Sequence, residues 1–309
     1  MPDSPSHLRC IALAAALAAT AGCGKPEVVP PPAERAENVS TIGVSQCTLE
    51  EPWRAQMDAD IRAAAARHPG LRVIFKNAAG DSRKQCAQIG RFIADRVDLI
   101  IVSPNEAQPL TAVVGKAYDA GIPVIVLDRP VIGDKYTCFI GVDNEQIGLA
   151  AGRWLSEKLG GEGKIVELKG RMDTRPAQQR HNGFHQALRD PGYRIFEEVM
   201  QWDEAKARKV MQKALEQHDE IDAVFAHNDP GAHGAYQAAR QAGREEQIVF
   251  IGVDALPHEG IKYVKDGILD ATFQNPTGGA EAIDIALRIL AGKQAPKTVV
   301  LESRIFTAD

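Results

Sequence analysis

Short apolar runs that alternate with amphipathic stretches constrain the fold of this chain more than any other feature. The first strand candidates are residues 41–45, 71–76, 99–103, 124–128 and 139–142. Between them, residues 53–68, 82–95 and 107–120 carry apolar side chains every three or four positions, which indicates amphipathic helices. Because these strands lack polar alternation and are separated by helices, they predict a parallel sheet covered on both faces.

The same pattern then repeats, with strand candidates at residues 164–168, 193–198, 223–226 and 249–253. The sequence therefore predicts a second α/β lobe. Polar residues follow several strands of both lobes, as in Asp128-Arg129-Pro130, His227-Asn228-Asp229 and Asp254. Ligands of open parallel sheets bind outside the carboxyl ends of the strands. We therefore expect one ligand site in a cleft between two lobes.

Composition and motifs exclude several classes of function. The 309 residues carry a formal net charge of -5, so there is no basic surplus for binding a phosphate backbone, and nucleic acid is not an expected partner. No glycine-rich dinucleotide turn, P-loop or nucleophile elbow follows a strand candidate. The glycines of residues 160–163 precede a strand and are typical of a helix stop. We expect no cofactor and no catalysis.

The amino terminus has the pattern of an export signal. Arg9 precedes an apolar run over residues 11–19, which is shorter than the roughly 20 residues that span a bilayer. Residues 1–22 are therefore predicted to be a cleaved signal peptide rather than a transmembrane helix.

Cys23 follows small residues in a pattern that resembles the lipoprotein cleavage box, although Thr20 stands where leucine is usual. The resemblance implies a lipid anchor on Cys23, and an ordinary secretory signal followed by an unrelated cysteine is the alternative. Residues 23–40 are rich in proline and predict a semi-rigid tether. A disordered leader without a spacing role is the alternative for that segment.

The cysteines and histidines are candidate sites of chemistry. Cys47, Cys86 and Cys138 are expected to be free thiols, and a Cys47–Cys86 bridge in an oxidising compartment is the alternative. His181 and His185 lie one helical turn apart and could share a metal ion. Because no cysteine or carboxylate stands at ligand spacing, solvated surface histidines are the expectation for these two, and for His227 and His233, and no metal site is predicted.

Six motifs together resemble one family. They are Gly43-Val44-Ser45-Gln46 with Trp53-Arg54, Val126-Leu127-Asp128-Arg129, Val166-Glu167-Leu168-Lys169-Gly170 leading to Arg180 and Gly183-Phe184, Ala226-His227-Asn228-Asp229, Gly252-Val253-Asp254, and Ala271-Thr272-Phe273-Gln274. Over residues 41–307 this set resembles the periplasmic sugar-binding proteins of the ribose-binding type, with galactofuranose-binding proteins as its nearest kin.

The resemblance implies two doubly wound, Rossmann-like lobes joined by three chain crossings, the type I periplasmic-binding-protein architecture. Residues 41–142 and 275–302 would form the first lobe, and residues 143–274 and 303–309 the second. In this family a hinge motion closes the lobes around the ligand. Asp143 and Asn144, at the first crossing, are expected to shape the hinge rather than contact ligand.

The resemblance also implies a set of ligand-binding residues. They are Glu50, Trp53, Arg54, Asp128 and Arg129 in the first lobe, and Arg180, Trp202, Asn228, Asp254 and Gln274 in the second lobe or at its boundary. Asn105 has no counterpart in the family and is a candidate only because it follows a strand. These residue types suit a sugar, because indoles contact C–H faces while carboxylates, amides and guanidinium groups bond hydroxyls. A surface ion pair for Asp128-Arg129 and core packing for Trp53 are the alternatives.

Three acids (Glu50, Asp128, Asp254) balance three arginines in this set, which favours a neutral ligand. The predicted function is to bind a neutral pentose or hexose, furanose forms included, for the permease subunits of an ABC importer. A sensor that serves a chemoreceptor or histidine kinase is the alternative. The protein is expected to be a monomer in the periplasm or at the cell surface, and a transcription repressor is excluded because an export signal stands where a DNA-binding segment would be.

Overall fold

The computed structural model describes residues 39–308. The predicted signal peptide, the lipidation site at Cys23 and the tether up to residue 38 lie outside these residues. Within the described part of the chain, no helix combines the length and apolar character needed to cross a membrane.

Strands and helices alternate along nearly the whole chain. The strands are β1 (Ser40–Gln46), β2 (Leu71–Asn77), β3 (Leu99–Ser103), β4 (Val124–Leu127), β5 (Cys138–Val142), β6 (Gly163–Lys169), β7 (Tyr193–Val199), β8 (Ala223–Ala226), β9 (Val249–Asp254), β10 (Ala271–Gln274), β11 (Thr298–Leu301) and β12 (Ile305–Thr307). The helices are α1 (Pro52–Ala65), α2 (Ser82–Ala94), α3 (Ala107–Asp119), α4 (Asn144–Leu159), α5 (Arg175–Ala187), α6 (Glu204–Gln217), α7 (Asp229–Gln241), α8 (Gly260–Lys265) and α9 (Gly279–Leu290).

The strands form two sheets, which define the two lobes. The first sheet has the order β11-β5-β4-β3-β1-β2 and the second has the order β12-β10-β9-β8-β6-β7. All pairs are parallel except β10 with β12. The predicted fold class, two α/β lobes with mainly parallel sheets, is confirmed. Strand order reverses beside β1 in one lobe and beside β6 in the other, and such switch points are where open α/β sheets bind ligands.

Burial on both faces explains the uninterrupted apolar runs. In β3, Leu99 and Ile101 pack with residues of α1 and α9, whereas Ile100 and Val102 pack with residues of α2 and α3. Successive side chains of a strand point to opposite faces, so a strand covered on both sides must be apolar throughout.

Within residues 39–308 the chain passes between the lobes three times. The first passage follows β5, the second follows β10, and the third separates β11 from β12. Asp143 marks the first, where its carboxylate accepts hydrogen bonds from the backbone N–H groups of Glu145 and Gln146 and so caps α4. Ile147 and Ala151 of α4 belong to the core of the second lobe, and Ile283 of α9 belongs to that of the first.

Cys47, Cys86 and Cys138 are free thiols, and Cys47 and Cys138 are buried. This agrees with the expectation of free cysteines rather than a Cys47–Cys86 bridge.

Candidate ligand-binding cleft

A narrow cleft opens between the carboxyl ends of the two sheets. The lining residues are Glu51, Pro52, Trp53, Arg54, Asp128, Arg129, Pro176, Arg180, Trp202, Asn228, Pro230, Asp254 and Asn275. Both lobes therefore contribute charged and aromatic side chains to one small volume.

Arg54 is held in the first-lobe wall by three neighbours. Its Nη2 donates to Asp128 Oδ2 at 2.7 Å, its Nη1 donates to Ser103 Oγ at 2.8 Å, and its Nε lies 3.4 Å from Glu51 Oε2. Only 3% of Arg54 is exposed. Because α1 begins at Pro52, Arg54 leaves its first turn and reaches the ends of β3 and β4. The guanidinium is thus fixed in position before any ligand arrives.

Arg129 forms a second buried cation in the same wall. Its Nη1 donates to the backbone oxygen of Asn105 at 3.1 Å, and its Nη2 lies 3.8 Å from Glu51 Oε1. Burial and the positive charge of Arg54 both lower the pKa of Arg129. Glu51 and Asp128 offset this effect, so the acids and the arginines of this wall depend on one another.

Arg180 of α5 is the buried cation of the second lobe. Its Nε donates to Asn144 Oδ1 at 2.8 Å, and its Nη1 donates to the backbone oxygen of His227. Its Nη2 lies 4.0 Å from Asp254 Oδ1. Asn144 thus positions a cleft residue from the first crossing.

Asp128, Trp202 and Asp254 line the cleft with backbone φ angles of 62°, 68° and 121°. Residues other than glycine pay a free-energy cost in this region, and such cost concentrates at functional sites. The geometry at Asp254 is held from behind by Asp229, whose carboxylate accepts from the backbone N–H of Ala255 at 2.7 Å and from Thr272 Oγ1 at 2.6 Å. Asp229 therefore braces the cleft rather than lining it.

Each lobe supplies one indole. Trp53 Nε1 donates to the backbone oxygen of Asn275 at 2.6 Å, which leaves the ring fixed at the cleft wall. Trp202 lies against Gly170, where a side chain would collide with the ring at 2.3 Å. The Arg180 guanidinium lies 5.5 Å from the centroid of the Trp202 ring. Two rigid aromatic surfaces thus border the site.

Unpartnered polar atoms concentrate in the cleft. Across residues 39–308, four buried side-chain nitrogen or oxygen atoms lack a hydrogen-bond partner, namely Arg54 Nε, Arg129 Nε, Trp202 Nε1 and Asn275 Oδ1. All four belong to residues that line the cleft. Buried polar groups are nearly always bonded, so three donors and one acceptor here match a ligand rich in hydroxyl groups.

Most of the predicted site residues meet in this cleft. Those that line it are Trp53, Arg54, Asp128, Arg129, Arg180, Trp202, Asn228 and Asp254. Glu50, Gln274 and Asn105 do not. Glu50 is exposed, and Gln274 instead lines a neighbouring cavity beside the second crossing.

Asn105 is buried beneath the cleft and reaches across the lobes. Its Oδ1 accepts from Arg171 Nη1 of the second lobe at 3.2 Å, and its Nδ2 donates to Ser82 Oγ at 2.9 Å. Asn105 thus links the two lobes through its side chain and binds Arg129 through its backbone oxygen.

Glu51 and Asn275 take the places that the sequence assigned to Glu50 and Gln274. Glu51 is the N-cap of α1, directly before Pro52, and proline is favoured at the first helical position, so Pro52 was the available signal for Glu51. Asn275 Nδ2 donates to Asp254 Oδ1 at 3.1 Å. No comparable sequence signal distinguished Asn275 from Gln274. Which of the two side chains enters the cleft depends on where β10 ends, and the sequence pattern does not fix that residue.

The expectation of solvated histidines is wrong for His227. Its side chain is fully buried, and its Nε2 lies 3.0 Å from Glu167 Oε1. His227 directly follows β8. On one side its backbone oxygen accepts from Arg180 at the cleft, and on the other its ring faces a group of residues behind α5. The sequence near His227 did not indicate this contact, because Glu167 lies far away in the chain, on β6.

We predict that Asp254 makes the stability of the unliganded protein depend on pH. Burial raises its pKa from 3.8 to about 7, and Arg180 opposes this shift. At a pH between these two pKa values, Asp254 is protonated in the folded state and ionised in the unfolded state. The free energy of unfolding therefore falls as pH rises from about 4 to about 7. Relative to wild type, Asp254→Asn should gain on the order of 3 kcal/mol over this range.

The measurement is urea unfolding of both proteins at pH 4.5 and pH 7.5. Taking the difference between the two proteins cancels the contributions of other titrating groups. An unchanged difference across this range would show that Asp254 is ionised throughout.

The fold and the cleft define a two-lobed binding protein, and comparisons place it in a family. Residues 42–294 match the model of the periplasmic binding protein domain. The ribose import binding protein of Bacillus subtilis strain 168 is 31% identical over 269 residues, which cover 86% of this chain and 87% of that protein. This chain belongs to the periplasmic binding protein family, and the predicted resemblance is confirmed.

Two further comparisons extend this result. The galactofuranose-binding protein of Escherichia coli K12 is 28% identical over 282 residues, covering 87% of this chain and 88% of that protein. The solved fructose-binding periplasmic domain of a hybrid two-component system is 41% identical, with a TM-score of 0.82, and covers 87% of this chain and 90% of its own. Family members are binding proteins that act outside the cytoplasm.

Proposed function

We propose that this protein binds one neutral monosaccharide, a pentose or a hexose and furanose forms included, in the cleft between its lobes. The observation that carries this proposal is that four buried atoms without a hydrogen bond belong to residues lining a cleft with two indoles. A sugar offers both hydroxyl groups for those atoms and C–H faces for the rings. Hinge closure would exclude water from these contacts.

The charges of the cleft favour an uncharged ligand. Arg54 and Arg129 already pair with Glu51 and Asp128 in the first-lobe wall. The phosphate or carboxylate of a charged sugar would have to compete with these acids for the two arginines.

The loaded protein is proposed to deliver its sugar to the membrane permease subunits of an ABC importer. The ribose import and galactofuranose-binding relatives support this role by their names. A sensing role is the second candidate, because a fructose-binding domain of a two-component system is 41% identical. Loss of sugar uptake after deletion of the gene would favour transport, and unchanged uptake with a lost transcriptional response would favour sensing.

The remaining parts of the proposal concern residues and states beyond the cleft. Export through residues 1–22, a lipid anchor on Cys23, a monomeric state and the absence of catalysis are proposed together. An anchor with two acyl chains would hold the protein stably at a membrane. Release of a Cys23→Ser variant from the membrane fraction is the expected result, and membrane retention would contradict the anchor.

We predict that a thermal-shift screen identifies the ligand. The panel should hold pentoses, hexoses, sugars locked as furanosides, polyols and sugar phosphates. A ligand that binds only the folded state adds about 2.7 kcal/mol at a hundredfold excess over its Kd, so a cognate neutral sugar should raise Tm clearly. A shift given only by charged solutes would overturn the ligand class, and chemical conversion of a bound sugar would overturn the absence of catalysis.

A further inference from the structure

A second cluster of chemical groups lies behind α5, on the far side of His227 from the cleft. It consists of Glu167, His181, His185 and Glu197, and one donor atom from each lies within 4.8 Å of all the others. We propose that these four side chains bind a divalent transition metal ion of the zinc type.

The fold brings the four ligands together from three elements. Glu167 of β6 and Glu197 of β7 are direct neighbours in the parallel register, so their side chains emerge on the same face of the sheet. His181 and His185 lie one turn apart on α5, which packs over that face. Residues at i and i+4 share one side of a helix. Two carboxylates from below and two imidazoles from above therefore converge.

The spacing of the donor atoms suits a small tetrahedral ion. Glu167 Oε2 lies 3.0 Å from His181 Nδ1 and 2.9 Å from His185 Nε2, and Glu197 Oε1 lies 3.7 Å from His185 Nε2. A zinc ion bound at about 2.0–2.2 Å to four ligands needs donor atoms about 3.3–3.6 Å apart. These three pairs lie within about 0.6 Å of the zinc spacing, and ion binding requires the other donor pairs, which lie within 4.8 Å, to close to it.

Each carboxylate is oriented by a partner on its other oxygen. The backbone N–H of Gly170 donates to His227 Nδ1, so His227 carries its proton on Nε2 and donates it to Glu167 Oε1. Lys169 Nζ lies 2.6 Å from Glu197 Oε2. Glu167 Oε2 and Glu197 Oε1 face the imidazoles, and Glu167 Oε1 also lies 3.1 Å from His181 Nδ1. Such outer partners orient the ligands of metal sites.

Accessibility and ligand type indicate which ions can bind. The side chains of His181 and His185 are 23% and 32% exposed, whereas Glu167 is fully buried beneath them. An ion can therefore enter from solvent and meet a buried negative charge. Imidazole nitrogens favour Zn²⁺, Cu²⁺ and Ni²⁺, while Mg²⁺ and Ca²⁺ require oxygen ligands.

The test is a Zn²⁺ titration of purified protein without a polyhistidine tag, in competition with a chromophoric chelator. Wild type should bind one ion that excess Mg²⁺ does not displace. Removing a residue that only hydrogen-bonds a metal ligand typically lowers metal affinity by roughly 10–100-fold. The double variant His181→Ala, His185→Ala removes two ligands and should lose at least as much. His233→Ala is the matched control, since His233 pairs with Glu204 at 2.7 Å outside the cluster, and its affinity should be unchanged.

Two further measurements keep the result interpretable. Circular dichroism and sugar binding show whether the double variant is folded. If it is unfolded, the single variant Glu197→Gln replaces it, because this ligand is partly exposed, and it should also bind zinc more weakly than wild type. The proposal is overturned if wild type binds no zinc, or if folded variants of the cluster bind it as tightly as wild type does.

Discussion

Replacing Arg180 by alanine should weaken sugar binding by at least about 10-fold. A hydrogen bond to a charged group contributes about 1.5–3 kcal/mol, and the bound sugar would lose such a bond. Arg180 is 2% exposed and faces the cleft beside Asp254 and Trp202. Calorimetric titration with the sugar found in the screen measures the effect.

The variant should still fold, which makes the binding loss interpretable. Asp254 loses a nearby positive charge, and burial already raises its pKa to about 7, so it can accept a proton instead of remaining an unpaired anion. Arg189→Ala, at an exposed position just beyond the same helix, is the matched control and should bind like wild type. An Arg180→Ala protein that folds and binds within threefold of wild type would remove this residue from the site.

Gly148→Ala should destabilise the protein by at least about 3 kcal/mol. Helices α4 and α5 approach so closely that a Cβ on Gly148 would lie 2.0 Å from the backbone oxygen of Arg180. The contact is reciprocal, since a Cβ on Gly183 would lie 2.0 Å from the backbone oxygen of Glu145. Overpacking costs typically 1–3 kcal/mol and more where backbone must move.

Gly90→Ala provides the control for this prediction. Gly90 also lies inside a helix, α2, but no heavy atom lies within 4 Å of the position its Cβ would take. Alanine there should raise stability by about 0.5–1 kcal/mol, because glycine is the poorer helix former. Urea unfolding of both variants gives the comparison, and a Gly148→Ala protein as stable as wild type would show that the helices can separate without cost.

The sequence predicted the architecture because strands that are buried on both faces consist of apolar residues. Runs such as residues 99–103 can be apolar throughout only if both faces are covered, and the observed β3 has the predicted bounds. Resemblance supplied the three crossings, which periodicity did not. The short strands β10, β11 and β12, which flank two of the crossings, were not predicted.

The cleft was predictable where a side chain is tied to the end of a regular element. Asp128, Asn228 and Asp254 end or follow buried strands, and all three line the cleft. Glu50 and Gln274 lie outside the cleft lining, because a one-residue change at a loop or strand end sends the next side chain inward. Glu51 and Asn275 occupy those places.

The cluster around Glu167 could not be predicted from spacing at all. Glu167 and His227 are 60 positions apart in the chain, and their contact depends on two strands with β8 placed beside β6. Sequence reasoning weighed the histidines by their near neighbours alone and found no carboxylate. Long-range register, rather than local pattern, decides which ionisable groups meet in the core.

The most direct test of sugar binding in this cleft is a crystal structure of the protein with the sugar that the screen identifies. We expect the sugar between Trp53 and Trp202, with hydroxyl groups within about 3.2 Å of the four unpartnered atoms, Arg54 Nε, Arg129 Nε, Trp202 Nε1 and Asn275 Oδ1. A sugar bound at another place, or bound in the cleft with these four atoms still unpaired, would contradict the account.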